Sequence, residues 1–321
     1  MNTLQPKIVY SPDYDIRFLG LEKLHPFDSC KYSRAWESLL ATFGTRLASL
    51  QIKPEPAVTL EALRTVHTDA YLQKLKNARY VAKVLELPEL GFLPQCLLEK
   101  HVLKAMKLAV TGTVLAAHAA IAHGIAINLS GGYHHASRDR GEGFCVYSDI
   151  AIAIAMLRQS GTLQPDDTVM IIDLDAHQGN GLERLFFQDQ HVHIFDMYNE
   201  DIYPQDWWAK EWIDYKLPLK SGTSDRAYLD QLKVHLPVFL DRISQPKIAF
   251  YNAGTDIFAG DPLGNMSVSE QGVLERDRYV FHTLTAAAIP WVMVLSGGYT
   301  RQSYQLVANA VTEVLQTWGF R

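Results

Sequence analysis

The shortages in this 321-residue sequence set the first limits. Cysteine is scarce: Cys30, Cys96 and Cys145 are the three in the chain. They are too few and too scattered for a disulfide framework or a cysteine-rich zinc module, so a reducing compartment is expected. No run of Lys or Arg occurs. The 30 Lys plus Arg stand against 35 Asp plus Glu, a net charge of -5 with histidine neutral, so direct nucleic-acid binding is not expected. The most apolar stretch, Leu108 to Ala122, is short for a bilayer span and is interrupted by Thr111, Thr113 and His118. Met1 to Tyr10 has no basic segment followed by an apolar core, so no signal peptide is expected there. No repeat, low-complexity tract or Gly/Ser- or Pro-rich linker divides the chain. With 48% apolar and 20% charged residues, disorder is excluded too. A soluble, cytoplasmic protein is expected, built as one large domain over residues 1–321.

What recurs is a short apolar or β-branched run leading into glycine and polar residues. Ile125–Leu129 runs into Ser130-Gly131-Gly132, Val169–Leu174 into Asp175-Ala176-His177, and Val192–Phe195 into Asp196. Ile248–Tyr251 runs into Asn252-Ala253-Gly254, and Trp291–Leu295 into Ser296-Gly297-Gly298. Continuous apolar runs suit strands buried on both faces, as in a parallel sheet. Helical patterns lie between and around them, at Leu60–Val81, Leu97–His123, Ser148–Arg158, Asp225–Asp241, Gln271–Ala288 and Gln302–Trp318. The alternation predicts an α/β fold, a mostly parallel sheet with helices on both faces. Ligands of such sheets bind at the carboxyl ends of the strands, and the chain places its unusual His, Asp and Tyr residues there.

The segment Asp173-Leu174-Asp175-Ala176-His177 is the most informative. If the extended geometry persists, Asp173, Asp175 and His177 share one face, and a carboxylate and an imidazole two positions apart can ligate one divalent ion. The plainer alternative is that these residues merely cap the next helix. Burying two acids amid apolar residues without a charged partner is costly, which favours the metal. Asp256, also after an apolar run and a glycine, is the best second carboxylate, whereas Asp261 beside Pro262 reads as a turn residue. Two carboxylates and one His leave positions open for water and substrate, the pattern of catalytic zinc. His134-His135 sits in a glycine-bounded loop after a buried strand, where two imidazoles beside an activated water serve proton transfer. Tyr299 after Gly297-Gly298 can donate to an oxyanion. Trp207, Trp208 and Trp212 read as helix packing, Cys145 as a buried small residue, and the pairs Arg138/Arg140 and Arg276/Arg278 as solvated.

These motifs resemble a known family. Gly131-Gly-Tyr-His-His-Ala136, Gly143-Phe-Cys145, Asp173-Leu-Asp-Ala-His-Gln-Gly-Asn180, Gly254-Thr-Asp256 and Gly297-Gly-Tyr299 stand in the order seen in zinc-dependent histone deacetylases. The forms Asp175–Gly181, Tyr251–Ile257 and Ser296-Gly-Gly-Tyr299, with His25-Pro-Phe-Asp28 and Ile202-Tyr-Pro204, are most similar to the class IV branch. The resemblance runs from about His25 to Tyr299. It implies the arginase/deacetylase fold and hydrolysis of acyl-lysine side chains of proteins or peptides, with a lean towards long fatty-acyl groups.

By the same resemblance, Asp175, His177 and Asp256 hold one Zn2+ per chain, and His134 and His135 are the catalytic pair. Asp173 stands behind His134, Asn180 behind His135 where many deacetylases have Asp, and Tyr299 polarises the acyl carbonyl. Phe144 and Tyr203 wall the acyl-lysine channel, Leu263 is at its rim, and Gly143 and Gly298 lie along it. The resemblance also leaves room for a monovalent cation near Asp173. Dinuclear ureohydrolases, the related rivals, need a further carboxylate two residues after the motif histidine, and Gly179 stands there, so one metal is favoured. An acetylpolyamine amidohydrolase shares the zinc chemistry and is the serious alternative. A non-enzymatic scaffold with a vestigial zinc site is disfavoured, because ligands, histidine pair and Tyr299 are all present.

Overall fold

The computed structural model describes residues 4–17 and 27–320. His25 and Pro26 of the class IV-like segment lie outside the described residues. Eight strands form one sheet: β1 (Lys7–Val9), β2 (Gln51–Ile52), β3 (Ile125–Asn128), β4 (Val169–Asp173), β5 (Val192–Asn199), β6 (Tyr215–Leu219), β7 (Ile248–Asn252) and β8 (Trp291–Val294). Their order is β2-β1-β3-β8-β7-β4-β5-β6, and every pairing is parallel. The five strands predicted from apolar runs are all there, with β5 extended to Asn199. The sequence reading missed β1, β2 and β6. The first two are 3 and 2 residues long, and β6 is an edge strand in which exposed Lys216 and Pro218 alternate with buried Leu217 and Leu219.

Alternate residues of each central strand feed two cores. Met170 and Ile172 of β4 join one with Trp36, Phe239, Phe281 and Val311 from helices Lys31–Phe43, Asp225–Asp241, Glu270–Ala286 and Ser303–Val314. Val169 and Ile171 join the other with Val110 and Ile154 from helices Lys104–His123 and Asp149–Gln159. Gln95–His123 forms one helical run of 29 residues, longer than its most apolar stretch suggests, and apolar enough to cross a membrane by length and composition. In this fold 72% of its most apolar window is buried, which makes it a core helix.

The single helix predicted over Leu60–Val81 is three short ones, Leu60–Arg64, Asp69–Lys74 and Ala78–Val84. The Thr68 hydroxyl accepts from Tyr71 N–H and the Asn77 side chain from Arg79 and Tyr80 N–H, so local caps restart the chain twice. The consequence for the site lies in the strand order. β3, β8, β7 and β4 are consecutive neighbours, so the loops that follow them converge although they are far apart in sequence.

Candidate metal and catalytic site

Beyond Asp173 the chain leaves the extended geometry on which a shared face for Asp173, Asp175 and His177 depends. It bends through Asp175–His177, with Asp175 N–H donating to Asp173 Oδ1 (3.2 Å) and His177 N–H to Asp175 Oδ1 (2.9 Å). The bend sends Asp173 one way and aims Asp175 and His177 at Asp256. His177 Nδ1 lies 3.1 Å from Asp175 Oδ1 and 2.9 Å from Asp256 Oδ2. The ligand atoms of Asp175, His177 and Asp256 all fall within 4.8 Å of one another, and all three residues are buried. Ala176 N–H donates to Asp256 Oδ1 (2.9 Å) and Gly297 N–H to Asp175 Oδ2 (2.8 Å), which fixes both carboxylates.

Two buried carboxylates this close repel unless a cation lies between them. Burial and the charge of Asp175 push Asp256 up to about 7. His177 is held up at about 10, its burial outweighed by the two carboxylates. A donor set of two hard oxygens and one imidazole, gathered within 4.8 Å, fits a divalent metal, which would take the place of the His177 proton between the two carboxylates. Among the described residues it is the one such group.

The two neighbouring histidines differ in what stands behind them. His134 Nδ1 donates to Asp173 Oδ2 (2.9 Å), and Asp173 Oδ1 also accepts from Asn252 Nδ2 (2.9 Å). His135 Nδ1 meets Asn180 Oδ1 (2.8 Å), whose Nδ2 donates to Glu142 Oε1 (3.0 Å). That second bond orients the amide, so His135 carries its proton on Nδ1 and leaves Nε2 free. Burial lowers His134, but Asp173 and Asp175 override it and hold the imidazole up at about 9. Burial, then the nearby His134 and His177, push His135 well below the usual range. Gly143, with φ +53°, lies so close that a Cβ there would meet His135 Cδ2 at 2.4 Å.

The Tyr299 ring packs edge-on to His177 (6.0 Å), Phe144 (5.8 Å) and Phe27 (5.9 Å). Burial and the charges of Asp175 and Asp256 push its phenol well above the ordinary value, so it stays a proton donor. Asp261 is the expected turn residue, its Oδ1 accepting from Leu263 and Gly264 N–H, and it does more: Oδ2 accepts from Tyr299 N–H (2.7 Å). Tyr203 stacks edge-on against His135 (5.2 Å) and is 43% exposed, which puts it at the mouth. Leu263 is half-buried in the Asp261 turn, and Gly298 carries φ +128° beside Thr255 and Ser303.

An apolar cavity adjoins this floor. Gly131–His135, Gly143–Cys145, Ser296, Gly297 and Tyr299 line one side, and Ile16, Phe27, Leu85, Leu87, Leu90, Val102 and Met106 are among its other walls. Tyr203 and Leu263 are not part of that lining. Cys145 is buried, as expected, and Trp208 and Trp212 pack on Phe187, while Trp207 is 70% exposed.

Several buried groups escaped the sequence reading. Lys31 is fully buried, its Nζ donating to Ser296 O (2.7 Å) and Gly297 O (3.1 Å) at the base of the Tyr299 loop; it carries no motif. Asp196 pairs in register with Asp173 across β4 and β5, and burial raises both Asp196 and the adjacent Glu183. Arg276, expected in solvent, is fully buried against Asp277 (2.8 Å), whereas Arg278 is 41% exposed and pairs with Glu313. A signal for Arg276 existed: it stands in the stripe Val273, Arg276, Asp277, Val280, Leu284, which has core-facing helical spacing.

An open parallel α/β sheet with two aspartates, a histidine and a paired imidazole set at adjoining strand ends is an arrangement that fits a hydrolase with a triad able to hold a metal. Residues 25–315 match the model of the histone deacetylase domain. The chain is 43% identical over 306 residues to histone deacetylase 2 of Arabidopsis thaliana, covering 95% of this chain and 77% of that protein. It is 26% identical over 276 residues to histone deacetylase 8 of Xenopus tropicalis, covering 82% and 72% respectively. The fold matches the crystal structure of the HDA15 HD domain with a TM-score of 0.75 at 20% identity, over 98% of this chain and 90% of that one. The chain belongs to the histone deacetylase family, hydrolases of acyl-lysine.

Proposed function

We propose that this protein is a zinc-dependent lysine deacylase of the class IV type that prefers long fatty-acyl chains to acetyl. The apolar cavity beside the catalytic floor carries this reading: Leu85, Leu87, Leu90, Val102 and Met106 extend an apolar lining from Phe144 and Tyr299. Each methylene buried there contributes about 0.8 kcal/mol. The class IV assignment is supported by Asn180 behind His135 and by the Ser296-Gly-Gly-Tyr299 form. Asp175, His177 and Asp256 would hold the zinc, which supplies polarisation of the acyl carbonyl and of a water.

The rest of the chemistry belongs to the side chains. His135, neutral with Nε2 free, takes a proton from the attacking water. His134, charged and tied to Asp173, stabilises the negative charge that develops, and the proton passes to the leaving lysine amine. The Tyr299 hydroxyl donates to the tetrahedral oxygen as it gains charge. Phe144 and Tyr203 flank the lysine stem. The test is hydrolysis of acetyl-, medium- and long-chain acyl-lysine peptides beside acetylpolyamines. Rising kcat/KM with chain length is expected. Equal or better turnover of acetyl-lysine removes the chain-length preference, and strong acetylspermidine turnover favours the polyamine reading.

A further inference from the structure

We infer that Arg276 is a positioning residue for the metal centre, tying together the two loops that carry Asp175 and Asp256. The inference rests on the metal reading of that site. β4 and β7 are paired strands, and Leu174 N–H to Asn252 O (3.1 Å) continues their bonding one residue past β4. The ligands sit just beyond, where the two strands part. There Arg276 Nη1 donates to Leu174 O (3.1 Å) and to Gly254 O (2.5 Å). Leu174 lies between Asp173 and Asp175, and Gly254 precedes Asp256 by two residues. A single guanidinium nitrogen thus adds a cross-link at the level where the ligands are presented, satisfying Gly254 O and supplying Leu174 O with a shorter bond than the 3.5 Å one from Tyr228 OH.

The guanidinium is itself held. Asp277 Oδ1 accepts from Nε (2.9 Å) and lies 2.8 Å from Nη2, and the same oxygen accepts from Tyr251 OH of β7. Arg276 has no solvent exposure. Lysine keeps the charge but presents a point donor without the planar fork, so it cannot hold Asp277 and both carbonyls in this arrangement. Groups hydrogen-bonded to metal ligands typically set metal affinity by about 10- to 100-fold, and Arg276 acts on two of the ligands through the backbone that carries them.

The experiment uses the full chain and zinc alone as the probe, with affinity measured by competition against a chromogenic chelator. Arg276→Lys should weaken zinc binding by on the order of 10-fold or more. With zinc removed, hydrogen exchange should quicken at residues 174–177 and 253–256 and stay unchanged in helix Lys104–His123. Asp277→Asn keeps an oxygen that can accept from Nε and does not touch the two carbonyls, so it should lower the melting temperature and weaken zinc binding less than Arg276→Lys does. Where Arg276→Lys does not fold, Arg276→Gln combined with Asp277→Asn buries no unpaired charge and carries the same expectation. Parent-like zinc affinity in the Arg276 variants overturns the inference, as does exchange that quickens evenly across the sheet. If the parent takes up no zinc, the metal reading fails and this inference with it. If the parent binds zinc and the variants bind it equally well, this inference fails alone.

Discussion

The floor of the site and the cavity beside it are built on opposite terms. The floor is polar, closely hydrogen-bonded and made of residues at strand ends or in the loops that follow them: Asp173 at the end of β4 with Asp175 and His177 after it, Asp256 after β7, the histidine pair after β3 and Tyr299 after β8. Its backbone N–H groups are aimed at carboxylates, as Ala176 and Gly297 are at Asp256 and Asp175. The cavity walls are largely apolar and come from scattered pieces, with Leu85 to Leu90 running from a helix end into a 3-10 turn and Val102 and Met106 on a long helix. Each floor residue has one acceptable chemistry. A wall residue need only be apolar and of roughly the right size, so walls can change what is bound without touching how it is cut.

The sharpest break of the comparison is at the floor. Asp175→Ala or Asp256→Ala should bring activity to assay background and remove bound metal together, because each takes one of three protein ligands. Metal analysis by atomic emission beside a peptide assay checks this. Full metal occupancy without Asp256 would dissolve the floor as described. Next in size is Tyr299→Phe, which removes a donor to the developing oxyanion and leaves the aromatic packing against Phe144 and Phe27 intact. It should lower kcat by about 10²- to 10³-fold with metal content and melting temperature unchanged. A variant with near-normal kcat takes Tyr299 out of the reaction.

The same contrast decides what could be read from the sequence. The five central strands and the floor residues were legible, since apolar runs ending in glycine and acid are dense local signals. The shortest strands were not: Lys7–Val9 and Gln51–Ile52 hold too few residues to show a period. Nor was the bend after Asp173, because it depends on side-chain acceptors, Asp173 for Asp175 N–H and Asp175 for His177 N–H. Lys31 and Asp196 reach the site only through tertiary packing and sheet register. Arg276 looks solvated in the sequence because its charge hides its place in an apolar stripe. The cavity walls belong to the same class, as nothing in Leu85 or Met106 marks a depth.

A smaller effect tests the wall alone. Val102→Phe adds bulk to the lining without approaching the metal ligands. If the cavity takes the acyl chain, kcat/KM for a long-chain acyl-lysine peptide should fall by about tenfold, the worth of displacing one to two methylenes at about 0.8 kcal/mol each. Acetyl-lysine turnover and metal content should hold. A parallel fall for both substrates would mean that the change acts through packing, and an unchanged ratio would remove the cavity from chain selection.

The smallest expected effect separates the two histidines. His134 has a carboxylate at its Nδ1 and His135 an amide. A carboxylate behind an imidazole favours the charged ring, whereas an amide fixes orientation without that charge. Asn180→Asp should therefore raise the pKa of His135, and less of it is then neutral at a given pH. The acidic limb of the kcat/KM profile should move to higher pH by on the order of one unit. The surroundings say why an amide stands here: Asn180 Nδ2 donates to Glu142 Oε1 (3.0 Å) and Asp206 Oδ2 (3.5 Å). A carboxylate in its place would face two others, raising its own pKa and blunting the shift. Glu142→Gln removes one of those charges and supplies an amide donor, so the double variant Glu142→Gln/Asn180→Asp should shift the limb further than Asn180→Asp alone. The measurement is a pH profile of kcat/KM at constant ionic strength with metal content checked at each pH. If the limb stays in place in both variants, His135 is not the base, and the role passes to His134.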